Sequence, residues 1–485
     1  MSSHDDRNTT TTLIQLYTRF LYRTKNFSLN GFFKTLNFFF RDDKKIPPTC
    51  ADINRYKKMH NIKNKLSCSA AAAACFAASV FADAPAETIP FGNFGLDALS
   101  ESVSKLQSDV KSETGFNPFF DYYAVLLTNP YGGEGQGTNY THEMIYGITG
   151  DLEKNVGWKG ATLVVSGAYN AGGNLSNTIG NFFTVSESSV VDGGMFFELY
   201  LAQKIELANG DSATVRLGRI AMADSFNSLP IFGSLVSGAF DSTPASMFGN
   251  SPFTSSPVAT WGASVKYETA ENLSFCAGLY QIPQNVQSSR WSGTDWRIQS
   301  DDGYMAMFQI AWNPIFCAEA DGSGGLSGTY QIGAWFFGGF DMPYLDGSAG
   351  SRGNGYGFYA HGQQQIWVEK DNPNKYVSIF AGAQVAPINS ISTMPLMLYA
   401  GFQLQGFIPQ RANDGLCVAF ANGWFSCELD KVREATYENI VEITYVMQLN
   451  ENISIQPDFQ YIMRPYGNSG IDDALVVGGQ LIVSF

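Results

Sequence analysis

The sequence predicts an all-β protein, a transmembrane antiparallel β-barrel of about sixteen strands with a short N-terminal helix. Three observations carry that reading. At the C-terminus, Phe485, Val483, Leu481, Val477 and Leu475 fall on one face of a strand while Ser484, Gln480 and Gly478 fall on the other. Successive side chains of a strand point to opposite faces, so one face is apolar and the other polar or small. The same period then recurs along the chain back to residue 118, and the connections between the periodic segments alternate in length. In lipid every backbone group must be paired within a closed sheet, so a repeated two-residue period argues for a barrel.

Composition agrees. The chain of 485 residues is 45% hydrophobic and only 15% charged, and its 49 glycines and 14% aromatics favour β structure over helix. Downstream of the N-terminal region no apolar run reaches the roughly eighteen residues that a membrane helix needs. The net charge of -14 argues against nucleic acid as a partner, because phosphate binding needs clustered Lys and Arg.

Taken in order, residues 1–58 have no clear period and read as an over-extended or dispensable leader before a second start at Met59. The basic segment Met59–Lys65, the Ala-rich run Leu66–Phe81 and the small residues Val80 and Ala82 have the three-part layout of a secretory signal peptide over 59–82. Such a segment directs the chain to the bacterial cell envelope, where the barrel would sit in the outer membrane. Residues 83–117 are expected to form a periplasmic segment, with Leu99, Val103, Leu106 and Val110 at helical spacing. The barrel occupies 118–485. Its strands are expected near 118–128, 140–150, 160–170, 195–208, 211–221, 256–268, 271–282, 303–313, 328–338, 356–369, 375–386, 395–407, 415–424, 437–449, 450–464 and 474–485. Turns from even to odd strands are short, as at Ala208–Asp211, Thr269–Asn272, Lys370–Asn374 and Asn450–Asn452. The longest links, 171–194, 222–255, 283–302 and 339–355, all run from odd to even strands. A barrel with short periplasmic turns and long external loops gives this sorting. Sixteen strands enclose a water-filled lumen, hence a pore.

With the apolar face toward lipid, parity directs Asp121, Glu143, Glu198, Lys204, Arg216, Lys266, Glu442, Asp458 and Arg464 into the lumen. It also directs there a set of glutamines (Gln331, Gln363, Gln365, Gln384, Gln403, Gln405, Gln448, Gln460) and the rings of Tyr123, Tyr200, Tyr280, Trp335, Tyr359, Trp367 and Tyr399. Carboxamides donate and accept without charge and aromatic rings offer flat apolar faces, which together suit sugars. An anion pore would concentrate Arg and Lys instead. The 222–255 segment is nearly uncharged, with Asp224 and Asp241 among Phe226, Phe232, Phe240, Phe248 and Phe253. An exposed loop that apolar would aggregate, so it is expected to fold inward as a constriction. Packing on other loops above the rim is the alternative.

Enzymatic chemistry finds little support. Beyond the signal segment there are two histidines: His142, on the apolar parity of its strand, and His361, with no paired serine in sequence. No nucleophile elbow, phosphate loop or Cys/His metal cluster occurs, so no cofactor and no metal site is expected. Cys417 and Cys427 are the nearest pair for a disulfide, with unpaired thiols as the other reading.

Several blocks resemble the carbohydrate-selective (OprB-type) outer-membrane porins. They are Asp151–Leu163 with Ser166–Asn170 and Asn174–Ser176; Glu198–Gln203 with Val215–Arg219 and Asp224–Phe226; and Pro457–Pro465 with the strand ending at Phe485. The resemblance implies passive, facilitated diffusion of glucose-like or oligosaccharide sugars through a single-chain barrel. It implies charged and aromatic residues at the eyelet, with Glu198 and Arg216 as candidates by motif position and Arg219 facing either way. Outer-membrane lipid is the surrounding partner, and a homotrimer and a monomer are both compatible. The competing readings are a general or ion-selective porin without sugar preference and a structural or adhesive envelope barrel.

Overall fold

The computed structural model describes residues 96–485 apart from 190–191, 241, 287–289 and 319–324. The leader at 1–58, the signal segment at 59–82 and Asp241 lie outside the described residues. The first described element is a helix, α1 (Leu96–Thr114), where the helical spacing predicted one. Val103 and Val110 on its apolar face are half-buried, and Gln107 Nε2 donates to the carbonyl of Pro118 at 3.0 Å.

The strands are β1 (Phe116–Tyr131), β2 (Gly137–Asp151), β3 (Ala161–Gly172), β4 (Gly193–Glu206), β5 (Ser212–Ile220), β6 (Thr260–Glu268), β7 (Leu273–Ile282) and β8 (Gly303–Trp312). After the two-residue β9 (Ile315–Phe316) follow β10 (Leu326–Pro343), β11 (Ser351–Glu369), β12 (Asn372–Val385), β13 (Leu396–Gln405), β14 (Gly415–Trp424), β15 (Tyr437–Gln448), β16 (Ile453–Met463) and β17 (Ala474–Ser484). Sixteen long strands thus form an antiparallel sheet that β1 closes by pairing with both β2 and β17. Closure leaves no edge, which lipid requires.

Two boundaries differ from expectation for physical reasons. β10 and β11 continue past the expected 338 and 356, pairing Met342 with Arg352, so most of the expected 339–355 loop is an extended hairpin. β6 starts at Thr260 and not near 256, because the chain before it turns into the lumen. The connection from β8 to β10 is an exception to short turns at that end. At the same end, Asp211 ties two turns together, accepting from the Tyr267 hydroxyl, from Ala270 N at 2.9 Å and from Asn209 Nδ2 at 2.6 Å. These donors, the Tyr267 hydroxyl foremost, hold its carboxyl below the usual range.

The glycine content has a packing role on the inner face. Five inward rings stand directly opposite a glycine on the next strand: Tyr280 on Gly262, Tyr359 on Gly333, Trp335 on Gly357, Tyr399 on Gly382 and Phe380 on Gly401. Each ring lies over the space a side chain would take; a Cβ on Gly382 would meet the Tyr399 ring at 2.4 Å. The covered glycines let the rings lie flat on the wall. Gly382→Ala is expected to cost about 1–3 kcal/mol by overpacking, read as a lower unfolding temperature of the detergent-solubilised barrel. An unchanged temperature would show that the ring has room to move.

Candidate functional site

Parity places the lumen, and the loops fill much of it. The segment between β5 and β6 dips inside, with Phe226, Leu229, Ile231, Phe232, Leu235, Phe240 and Phe253 essentially free of solvent contact. Each buried Phe or Leu is worth about 1.5–3 kcal/mol, which favours the inward arrangement over an exposed one. Irregular backbone at this depth needs polar partners, and inward side chains of the wall provide them. Gln309 Oε1 accepts from Asn227 N at 3.0 Å, Gln363 Oε1 from Ile231 N at 2.9 Å, and Glu442 Oε1 from Val236 N at 2.5 Å and Ser237 N at 3.1 Å. Gln331 Nε2 donates to Ser228 O at 2.9 Å and Gln456 Nε2 to Gly233 O at 3.3 Å. Gln331 and Gln363, two of the glutamines that parity placed inside, therefore hold the loop.

A second inward loop, between β3 and β4, was not foreseen from sequence. Leu175, Ile179 and Phe183 are buried against Val125 and Leu127 of β1. Its sequence signal lies in β1: Val125 and Leu127 carry the lumen parity yet are apolar, which a wet inner wall does not explain.

A cavity of 540 Å³ lies against β5, β6, β7, β8 and β10. Arg216, Lys266, Glu268, Asp224, Gln309 and Gln331 contribute its polar lining and Phe226 part of its apolar lining. Arg216 stands 5.5 Å from the centre of the Tyr200 ring, and its Nη1 donates to Ser225 Oγ at 3.4 Å. Lys266 and Glu268 pair at 2.7 Å along β6, as Lys204 and Glu206 do at 2.6 Å along β4. Cross-strand register sets these charges in rows, with Lys204 and Lys266 flanking Thr214, and Glu206 and Glu268 flanking Ser212.

Of the expected lining residues, Arg216, Lys266, Asp224 and Phe226 are at this cavity. Others face inward but lie beneath loops. Glu198, at 6% exposure, accepts from Ala221 N at 3.1 Å. It sits in a bulge of the β3–β4 ladder, where Phe197 and Glu198 lie between the partners of Gly167 and Val165. Glu143 accepts from Ser256 Oγ at 2.5 Å. Trp335, Tyr359, Glu442 and Asp458 are buried wall residues, and Phe232 and Phe240 lie inside the loop-to-wall contact. Asp121 faces inward near the short-turn end, where the Ser484 hydroxyl donates to it.

Two expectations, for Arg464 and Trp367, are corrected, and Arg219, open to either face in the sequence, takes the outer one. Arg219 pairs with Leu199 and Trp261 on the outer parity. It donates to Ala259 O at 2.7 Å and is covered by the β7–β8 connection, whose Trp296 packs on Phe196 at 5.3 Å. Arg464 follows the end of β16 with φ of 58°, so strand parity no longer applies; its guanidinium lies 4.5 Å from the Tyr437 ring centre. Trp367 follows a register shift in the β11–β12 ladder, pairs with the outward Val377 and packs on Phe407 at 5.6 Å. His142 has the outer parity expected for it, stacked on Tyr169 at 5.9 Å. Among the described residues no disulfide joins Cys417 to Cys427, and Cys417 is fully buried on the inner face of β14.

Comparison with known proteins agrees with this architecture. Porin B of Pseudomonas aeruginosa is 25% identical over 407 residues, covering 76% of this chain and 87% of that protein. The high-pH structure of Pseudomonas putida OprB matches with a TM-score of 0.69 at 20% identity, over 79% of this chain and 97% of that one. Its low-pH structure matches with a TM-score of 0.52 at 16% identity. At these identities the two structures speak for the fold. A sequence profile of the carbohydrate-selective porin, OprB family, matches residues 135–485, and the chain, an outer-membrane β-barrel porin, belongs to that family.

Proposed function

We propose that small neutral sugars cross this porin by passive diffusion along the β5–β8 and β10 side of the lumen, with Arg216, Lys266, Glu268 and Asp224 as the polar contacts. The observation that supports this most is the make-up of the 540 Å³ cavity: both signs of charge, carboxamides and hydroxyls on one wall, with Phe226 in the same lining. Sugar hydroxyls need donors and acceptors together, and the ring carbons need apolar surface. A binding point in a channel must also release its solute, which favours several modest contacts over one tight site. No covalent chemistry is invoked.

Sugar-induced current block in planar bilayers tests the reading. Arg216→Ala with Lys266→Ala is expected to weaken the block by glucose-like sugars about tenfold, since hydrogen bonds to charged groups are worth about 1.5–3 kcal/mol. An unchanged block constant would remove these residues from the sugar path. A general porin is the competing reading, and liposome swelling separates the two. Equal rates for sugars and for amino acids of the same size would end the sugar preference.

A further inference from the structure

We propose that Glu438 and Glu442, two inward carboxylates of β15, are positioning residues that pin both inward loops to one side of the barrel and so set the bore left on the other. The inference rests on the reading that solute passes beside β5–β8. Neither carboxylate is at that cavity, and both are fully buried.

The two residues sit four apart on one face of a single strand, and each grips a different loop. Glu438 accepts from Phe182 N at 2.8 Å and Phe183 N at 2.7 Å in the β3–β4 loop, and from Tyr466 N at 2.5 Å in the β16–β17 connection. Glu442 takes Val236 N and Ser237 N of the β5–β6 loop, at 2.5 Å and 3.1 Å. The loops are then joined to each other. Gly238 N donates to Thr184 O at 2.8 Å and Ser237 Oγ to the same carbonyl at 3.2 Å. On β16, Gln460 Nε2 completes the brace by donating to Val185 O at 2.9 Å.

The grouping has a chemical reason. Phe182, Phe183, Val236 and Ser237 lie where no ladder accepts their N–H groups, and an orphaned buried N–H is costly. A carboxylate offers two acceptor oxygens and no donor. At Glu438 both oxygens accept from backbone N–H groups, so the NH₂ of a glutamine there would face a donor. At Glu442 one oxygen, Oε1, takes both loop N–H groups, so only a side chain without that acceptor releases them. The apolar contacts around the brace, among them Phe183, Val236, Phe240 and Ile440, cannot by themselves fix where the loop backbone stops. Directional bonds can.

The test uses the purified full chain carrying Glu438→Gln and Glu442→Leu together, in planar bilayers and in liposomes. The expected result is a rise in single-channel conductance of about twofold, with disaccharide swelling rates approaching those of monosaccharides. Glu442→Asp, which keeps two acceptors, is expected to fall between the native and doubly substituted channels. Native conductance and a native disaccharide-to-monosaccharide ratio would overturn the proposal. Only folded, inserted barrels give current steps, so a folding defect shows as missing steps. In that case Val236→Pro, which strips a donor from the loop and leaves the wall intact, decides: a rise supports the proposal and a native step size overturns it. The outcome is separable from the sugar path, because Arg216→Ala with Lys266→Ala probes block while these variants probe bore.

Discussion

Replacing Arg216 and Lys266 together by glutamate is expected to make the channel cation-selective, with the potassium-to-chloride permeability ratio rising about tenfold as read from reversal potentials. In the native lining Arg216 and Lys266 are offset by Asp224 and Glu268, so neither sign dominates the cavity. The exchange would leave every charged side chain there negative. At position 266 the new carboxylate would also lose the 2.7 Å ion pair and stand beside Glu268 as a like charge. Both positions are on the inner face of short strands whose ladders need only backbone, so the barrel itself should persist. A reversal potential equal to that of the native protein would show that current bypasses this wall.

Phe232→Ala is the substitution with the largest expected structural cost, about 3–5 kcal/mol of the loop's hold on the wall. Phe232 is fully buried, with ring-centre distances of 5.9 Å to His361, 6.0 Å to Tyr399 and 6.1 Å to Phe380. Those partners are themselves fixed: Tyr399 and Phe380 lie over glycines of neighbouring strands, and His361 bonds Tyr399 at 2.9 Å and Gln331 at 2.8 Å. The surroundings therefore cannot collapse into the gap. Polar anchors on either side, at Ile231 and Gly233, keep the loop from leaving altogether. Single-channel records should then show rapid switching between the native level and larger ones. Steady native steps would mean that the anchors alone determine the loop's position.

The barrel was legible because lipid leaves the strands no freedom. Val441, Ile443, Tyr445 and Met447 had to face one way and Glu442, Thr444 and Gln448 the other, and the β15 register agrees. Where the period was broken locally, the reading failed. The register shift beside Trp367 and the positive φ at Arg464 each reverse or end parity within a residue or two, and neither has a composition signature. The apolar character of 222–255 was enough to bring that loop indoors, and Phe232 and Phe240 are where it meets the wall. The β3–β4 loop carries a weaker sequence signal because only part of it is apolar, and its anchor, Glu438, lies far away in sequence. Glu442 and Asp458 were correctly turned inward, but a pattern of alternation cannot say whether an inward carboxylate meets water or a backbone amide.

The ballast of this cylinder is carried on one flank. The carboxylate brace stands on β15, whereas the charges Arg216, Lys266 and Glu268 of the cavity wall stand on β5 and β6, which the brace does not touch. Substitutions along β5 and β6 can thus accumulate at little cost to assembly. Exchanging charges at a few positions there would recast the electrical character of that wall and leave the loop anchors on the far side as they are.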